Sequence, residues 1–492
     1  MCNCTGPRIS GTNLTATPND NFHERLLQAL VHTPTAGQER AAVALERLLA
    51  TPKENATLVL KGYAGTGKTT LVGALVQVLA DQRRPVVLLA PTGRAAKVLS
   101  AYAGRSASTI HRRIYRISGE GVAGPGSMMV APNKDADALF IVDEASMIGR
   151  GGLGEGPFGG RDLLQDLFEH VFSAPRTKLL VIGDPAQLPP VGSDKSPALD
   201  VKELAAFGLT AGALEMTDVV RQAEGSGILT NATALRGILG EKEPMPLFTM
   251  GFPDVIRLTG HDLQDALETA YAQDGDDEVC VICRSNKRAY QYSMQVRTRI
   301  HGYEEELCSG DRLMVVKNNY FWAGKNGKPE LIANGEPIVV KRVHGTEEKH
   351  GLRFADITAG WWTGLEEREL EVKVMLDVLA TESPAMPGGQ IKLLRQALFN
   401  SYTAPTKAER YRLLREDPYA QALQIKYAYA VTAHKAQGGQ WNTVFVDQGY
   451  ITAEMMDAEY VRWLYTAITR AGKRLYLLNF HPMFYGEEGG EE

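Results

Sequence analysis

Gly62-Tyr63-Ala64-Gly65-Thr66-Gly67-Lys68-Thr69-Thr70 follows the apolar run Ala56-Thr57-Leu58-Val59-Leu60. A buried strand that feeds a glycine loop and then a helix, here residues 71–79, makes a phosphate cradle. Glycine lets backbone N–H groups approach phosphate oxygens with no Cβ in the way, and the helix N-terminus adds partial positive charge. Lys68 is spaced to reach the β- and γ-phosphates, and Thr69 to offer its hydroxyl to Mg²⁺. A chance glycine turn does not bring strand, loop, lysine, hydroxyl and helix in this order. The stretch predicts a nucleoside-triphosphate site in an α/β fold.

The second half of such a site is a strand that ends in acid. Ala138-Leu139-Phe140-Ile141-Val142-Asp143-Glu144 supplies it, with an apolar run that reads as a central parallel strand buried on both faces. Asp143 is placed to hold the metal and Glu144 to polarise the attacking water. A third strand, 179–183, runs into Asp184-Pro185-Ala186-Gln187-Leu188-Pro189-Pro190, whose prolines stiffen the exit and keep Gln187 near the γ-phosphate. Residues 85–90 read as another buried strand, followed by Pro91-Thr92-Gly93-Arg94-Ala95-Ala96-Lys97. That puts a hydroxyl and a helix N-terminus where a nucleic-acid backbone could bind. Ser108-Thr109-Ile110-His111-Arg112 adds small polar donors. Far downstream, Val431-Thr432-Ala433-His434-Lys435-Ala436-Gln437-Gly438-Gly439-Gln440-Trp441 precedes a strand at 443–447. A mostly apolar helix then carries Tyr465-Thr466-Ala467-Ile468-Thr469-Arg470 before the last strand, 475–478.

Taken in order, these stretches, with Val219-Val220-Arg221-Gln222 among them, resemble the motifs of superfamily 1 helicases, most closely the branch containing phage Dda and bacterial RecD. The resemblance runs from about residue 34 to about residue 478. It implies an α/β fold of two RecA-like, parallel-sheet P-loop motor domains, with a hairpin inserted in the first and a small SH3-like β-barrel plus helices inserted in the second. ATP would lie between the motors and single-stranded DNA across their tops.

Carried over position by position, Gln38 matches the adenine-reading glutamine. Gly65, Thr66, Gly67, Lys68, Thr69 and Thr70 match the phosphate loop, with Thr69 and Asp143 as Mg²⁺ ligands and Glu144 as catalytic base. Gln187 matches the coupling glutamine, and Arg221 and Arg470 the two arginines brought to the γ-phosphate. Thr92, Arg94, His111, Thr432 and His434 match positions near the DNA backbone. Gly438-Gly439-Gln440-Trp441 departs from the pattern, because many relatives carry an acidic residue before the aromatic.

The arginines also have a physical logic of their own. Charge that develops on the transferred phosphoryl needs a cation, and supplying it from a mobile domain makes hydrolysis depend on closure.

The organisation expected is a disordered leader (1–22), a first motor (23–210) with a pin-like hairpin (113–132), and a second motor (211–325 and 426–480). The second motor is interrupted by the barrel and helices (326–425), and an acidic tail (481–492) follows. The helical part of the insertion is expected to brace the hairpin, and Tyr320, Phe321, Trp322, Trp361 and Trp362 are candidates for base stacking. The glycine-rich loop 149–160 suggests no ligand. Net charge is −5 over 492 residues, which excludes a globally basic nucleic-acid surface and makes any DNA path a local groove.

Five cysteines are too few for a disulfide scaffold. Cys280 and Cys283 read as buried strand residues, and Cys2 and Cys4 as part of the leader. The absence of a long apolar run or leader suggests a cytoplasmic, nucleoid-associated protein with no membrane contact. The expected activity is ATP-driven 5′-to-3′ DNA unwinding in replication, recombination or repair. Its partners would be single-stranded DNA, forked duplex, single-strand-binding protein and replisome or repair proteins. Alternatives are the motor subunit of a helicase–nuclease, an RNA-tracking helicase, and a nucleotide-gated clamp. The last is disfavoured by the presence of Lys68, Asp143, Glu144 and Arg470.

Overall fold

The computed structural model describes residues 22–117, 128–151, 162–220, 225–324, 330–363 and 366–486. The leader up to residue 21, the hairpin tip 118–127, most of the glycine-rich loop, Arg221 and the tail from 487 lie outside the described residues.

Strands β1 (Ala56–Gly62), β2 (Val86–Ala90), β3 (Ala107–Thr109), β6 (Leu139–Val142), β7 (Lys178–Gly183) and β8 (Thr210–Met216) form one parallel sheet in the order β3-β2-β6-β7-β1-β8. β4 (Tyr115–Ile117) and β5 (Met128–Val130) form a separate antiparallel pair. Apolar runs such as Leu139-Phe140-Ile141-Val142 are buried throughout because helices cover both faces of the sheet. Parallel pairing has one consequence for the site: every strand ends on the same edge. The phosphate loop after β1, Thr92 after β2, Asp143 after β6 and Asp184 after β7 therefore share the carboxyl edge.

β9 (Val255–Leu258), β10 (Val279–Cys283), β16 (Ala430–Thr432), β17 (Trp441–Asp447) and β18 (Ala471–Leu478) build a second parallel sheet, ordered β16-β10-β17-β18-β9. Between them β11 (Arg312–Val315), β12 (Pro337–Lys349), β13 (Leu352–Trp362), β14 (Glu367–Met375) and β15 (Leu423–Tyr427) close a barrel. Two helices, Gly388–Ser401 and Lys407–Glu416, project between β14 and β15 on a small core of Val316, Phe354, Leu394, Leu398 and Leu414.

Three expected boundaries move. The break at 210/211 would cut β8, which pairs along its whole length with β1; its largely exposed pattern hides it from a search for apolar runs. The barrel begins at β11, ahead of residue 326, and β15 spans the expected return at 425/426.

Of the stacking candidates, Trp361 is corrected to a core residue. It is fully buried in β13, and its Nε1 donates to Glu336 Oε2 at 2.6 Å. Trp322 donates to the carbonyl of Gln421, while Phe321 and Trp362 remain exposed. The described base of the hairpin is held by helix Leu163–Phe172, through Tyr115 to Asp166 (2.7 Å) and His170 to the Ala131 carbonyl (2.6 Å), while the expected bracing of its tip lies outside the described residues. Tyr320 also packs against this cluster. Cys280 and Cys283 are buried free thiols in β10. Among the described residues no cluster of His, Cys, Asp and Glu is placed to hold a metal by itself, and no helix is long and apolar enough to cross a membrane.

Candidate active site

The phosphate loop turns on two left-handed glycines, Gly65 (φ +76°) and Gly67 (φ +78°). A Cβ on Gly67 would also lie 2.5 Å from Gln38 Nε2, so close packing as well as conformation demands glycine there. Gln38 is buried, and its side chain is committed at both ends. Oε1 accepts from the Thr35 N–H in a capping box, and Nε2 faces the Gly67 carbonyl at 3.4 Å. Thr66 is buried and donates to the Tyr63 carbonyl, while Thr69 and Thr70 stand exposed on the first helical turn.

Lys68 Nζ donates to the carbonyls of Gly62 (2.6 Å) and Tyr63 (2.7 Å), folding over the loop it serves. The helix Lys68–Asp81 starts from Gly67 with no side-chain cap, in contrast to helix Gly93–Ala103, which Thr92 caps. Uncapped first-turn N–H groups beside a lysine suit a triphosphate. The exposed Thr69 hydroxyl and Asp143 suit a Mg²⁺ that keeps water and phosphate ligands.

Asp143 accepts from the Tyr102 hydroxyl and from the Glu144 N–H (2.9 Å). Glu144 sits in the left-handed region (φ +51°), a strain tolerated where geometry serves chemistry. Burial pushes its carboxyl up to about 7, with Arg470 opposing and Asp143 reinforcing the rise. Arg470 arrives from the second sheet, buried, with Nη1 3.9 Å from Glu144 Oε1. Its guanidinium is held by the carbonyls of Thr466 (3.1 Å) and Gly439 (3.1 Å) and by Thr469 Oγ1 (3.2 Å).

The loop after β7 is embedded in the second unit. Ala186 and Leu188 belong to that unit's core, Leu188 N–H donates to Thr466 Oγ1 (2.9 Å), and Gln437 donates to the Leu188 carbonyl (2.7 Å). Tyr465 donates to Asp184 (2.7 Å) and accepts from the Ala64 N–H of the phosphate loop (2.9 Å). Gln187 is buried between these contacts. Its Oε1 has no protein partner among the described residues, which leaves that oxygen free to accept from a water.

Lys68, Asp143, Glu144, Gln187 and Arg470 thus converge on the cleft between the two sheets, and Arg221 lies outside the described residues. Sequence reasoning missed Tyr102, Asp184 and Tyr465 as site residues. The last two stood inside quoted motifs with no role attached, and Tyr102 carried no signal.

Thr92 spends its hydroxyl on the Ala95 N–H (3.2 Å), whereas Thr432 starts its short helix with no side-chain cap. Burial lowers His111 to about 4 and also lowers His434, so both rings are neutral near pH 7. Arg94 does not join this row. Its guanidinium carbon lies 4.3 Å from the ring centroid of Trp441 in the second unit, a correction to its expected place on the DNA backbone.

Residues 35–241 match the model of an AAA domain, and residues 427–478 that of the UvrD-like helicase C-terminal domain. The ATP-dependent DNA helicase Dda of phage T4 is 24% identical over 454 residues, covering 84% of this chain and 92% of its own length. The chain belongs to the superfamily 1 helicases, in the Dda/RecD-like branch. Another relative, the ATP-dependent RecD2 DNA helicase of Deinococcus radiodurans, is 26% identical over 419 residues and covers 85% of this chain. The chain spans only 46% of that relative's length. A crystal structure of Pif1 helicase from Bacteroides with ADP-AlF3 and ssDNA aligns over 93% of this chain and 95% of its own, at TM-score 0.43 and 14% identity. Within superfamily 1, the two family models bracket the cleft: the first contains Lys68, Asp143, Glu144 and Gln187, and the second Thr432, His434 and Arg470.

Proposed function

We propose that this chain is an ATP-dependent DNA helicase that moves 5′-to-3′ on single-stranded DNA and opens forked duplex in replication, recombination or repair. The observation that supports it most is the cross-cleft contact of Arg470 with Glu144, beside the Ala64–Tyr465–Asp184 relay. One sheet carries the phosphate loop and the other the cation, so turnover requires both.

Lys68 and the uncapped helix N-terminus bind the phosphates, with Gln38 on the base side. Thr69 and Asp143 would hold Mg²⁺, which screens phosphate charge when bound. Glu144 orients and deprotonates water, and Arg470 and Arg221 neutralise charge that grows in the transition state. Gln187, on a loop buried in the second unit, passes occupancy of the cleft to that unit. Thr92, His111, Thr432 and His434 offer polar contacts to the DNA backbone at the sheet edges.

Strand displacement on 5′-tailed and 3′-tailed duplexes, in DNA and RNA, tests the reading. ATP-dependent opening of 5′-tailed DNA alone is expected; opening of only 3′-tailed or only RNA substrates removes the direction or the track.

A further inference from the structure

The cation–π contact between Arg94 and Trp441 joins the first turn of helix Gly93–Ala103, which Thr92 caps, to the segment beside Arg470. Arg94 lies two residues after Thr92, and its Nη1 is buried without a hydrogen-bond partner among the described residues. It is therefore not spent on an ion pair at that nitrogen. The approach is a close one. A Cβ on Gly438 (φ +70°) would lie 2.6 Å from Ala95 Cβ, and one on Gly439 would lie 2.8 Å from Arg94 Cδ and from the Trp441 ring.

From there the contacts run directly to Arg470. The Trp441 backbone N–H donates to the Arg470 carbonyl (3.0 Å), and Arg470 Nη1 donates to the Gly439 carbonyl (3.1 Å). The same Nη1 faces Glu144. One short segment, Gly438 to Trp441, thus touches the first unit's backbone-binding loop on one side and the finger arginine on the other.

We propose that Arg94 and Trp441 act as a positioning couple that sets Arg470 against Glu144 when the loop at Thr92 is engaged by DNA. The inference rests on the reading of Arg470 as the arginine that completes the ATPase site. A planar guanidinium stacked on indole fixes the distance between two rigid elements, which a flexible ammonium does less well. Arg94 is thus a positioning residue that touches neither nucleotide nor strand.

The test measures ATPase with and without single-stranded oligothymidine, together with oligothymidine affinity by fluorescence anisotropy, for wild type, R94A, R94K, W441F, W441A and R94A/W441A. R94A should lower DNA-stimulated kcat about tenfold, with the KM for ATP and DNA affinity held within about twofold, the split expected of a contact made in the transition state. R94K should fall nearly as far, and W441F, which keeps an aromatic face and the fold, should retain most activity. The double variant should be no worse than R94A, because the two residues act as one unit. If W441A fails to fold, R94A, R94K and W441F still decide.

A loss in R94A that saturating DNA restores would make Arg94 a strand ligand and overturn the proposal. So would wild-type kinetics in R94A. Wild-type protein without DNA-stimulated ATPase would instead remove the functional reading on which the proposal rests.

Discussion

Lys68 and Arg470 illustrate how differently two cations can serve one site. Lys68 spans the phosphate loop with its ammonium on the carbonyls of Gly62 and Tyr63, so it is already placed where phosphate oxygens would replace those partners. Lys68→Ala should reduce ATPase by on the order of 10²–10³, the scale of losing one preorganised charge stabiliser, and should weaken nucleotide binding as well. Its melting temperature should stay close to wild type, because a half-buried ammonium adds little packing. Near-normal turnover would remove Lys68 from the site. Arg470 faces Glu144 and is proposed to act on charge that develops later, so Arg470→Ala should keep affinity for a fluorescent ATP analogue while kcat falls by roughly 10³. Equal losses of affinity and turnover would mark it as a ground-state ligand. These residues were legible in the sequence because a strand, a glycine loop and an acid-ended strand constrain one another. Tyr102 was not: nothing local shows that the far end of helix Gly93–Ala103 delivers a hydroxyl to Asp143.

At the scale of elements, the inner strands of both parallel sheets were legible as apolar runs, since burial on two faces leaves no polar alternation to confuse them, whereas the edge strands β3, β8, β9 and β16 were not read. The barrel was less legible. β8 is an edge strand with mostly exposed side chains, and β12 pairs with β13 as a long ribbon whose second half is exposed almost throughout. What sequence could not show is how the barrel seats on the first sheet. Glu336, at the start of β12, lies so close to Gly93 that a Cβ there would be 2.1 Å from Glu336 Cγ. Arg112 reaches across to Glu330, which Arg368 also engages at 2.7 Å. Burial pushes the Glu336 carboxyl up to about 7 from an ordinary 4.5, opposed by the Trp361 hydrogen bond and Arg112 and reinforced by Glu330. The folded state therefore holds a proton that the unfolded chain has released between those values, and this contribution to stability is lost as pH rises through about 7. Glu336→Gln should flatten that part of the pH dependence. Thermal melts from pH 5 to 8 should show the variant gaining on wild type as pH rises, at up to about 1.4 kcal/mol for each pKa unit of the shift. A constant difference between the two across that range would mean that Glu336 titrates as an ordinary exposed carboxylate.

For the whole molecule, the order of motifs was legible because each sits at the carboxyl end of a strand, and parallel sheets bring those ends to common edges. The joints between the two units were not, since Tyr465 on Asp184 and Arg94 on Trp441 are contacts between residues hundreds of positions apart. Those joints bear on how the molecule binds its track. The chain carries a net charge of −5, Arg94 is turned inward, and His111 and His434 are neutral at working pH. Lys287 at the second edge is paired with Glu382, and burial lowers Lys435 to about 8. Backbone contact at these positions thus rests mainly on hydroxyls and backbone N–H groups, with Lys97, exposed one turn after Thr92, as an added cation. Each phosphate neutralised contributes a slope of roughly −0.7 to a plot of log affinity against log salt for a single strand. The slope should therefore be shallow, roughly −1 to −3, equivalent to no more than about four neutralised phosphates. Affinity should also change little between pH 6 and 7, since burial holds His111 at about 4, lowers His434, and leaves Lys435, at about 8, charged in that range. Anisotropy titrations of labelled oligothymidine across a salt series, repeated at both pH values, measure both quantities. A slope steeper than about −4 would require six or more cation–phosphate contacts. The strand would then have to run along a basic surface away from the two sheet edges, and Thr92, His111, Thr432 and His434 would lose their place on the track.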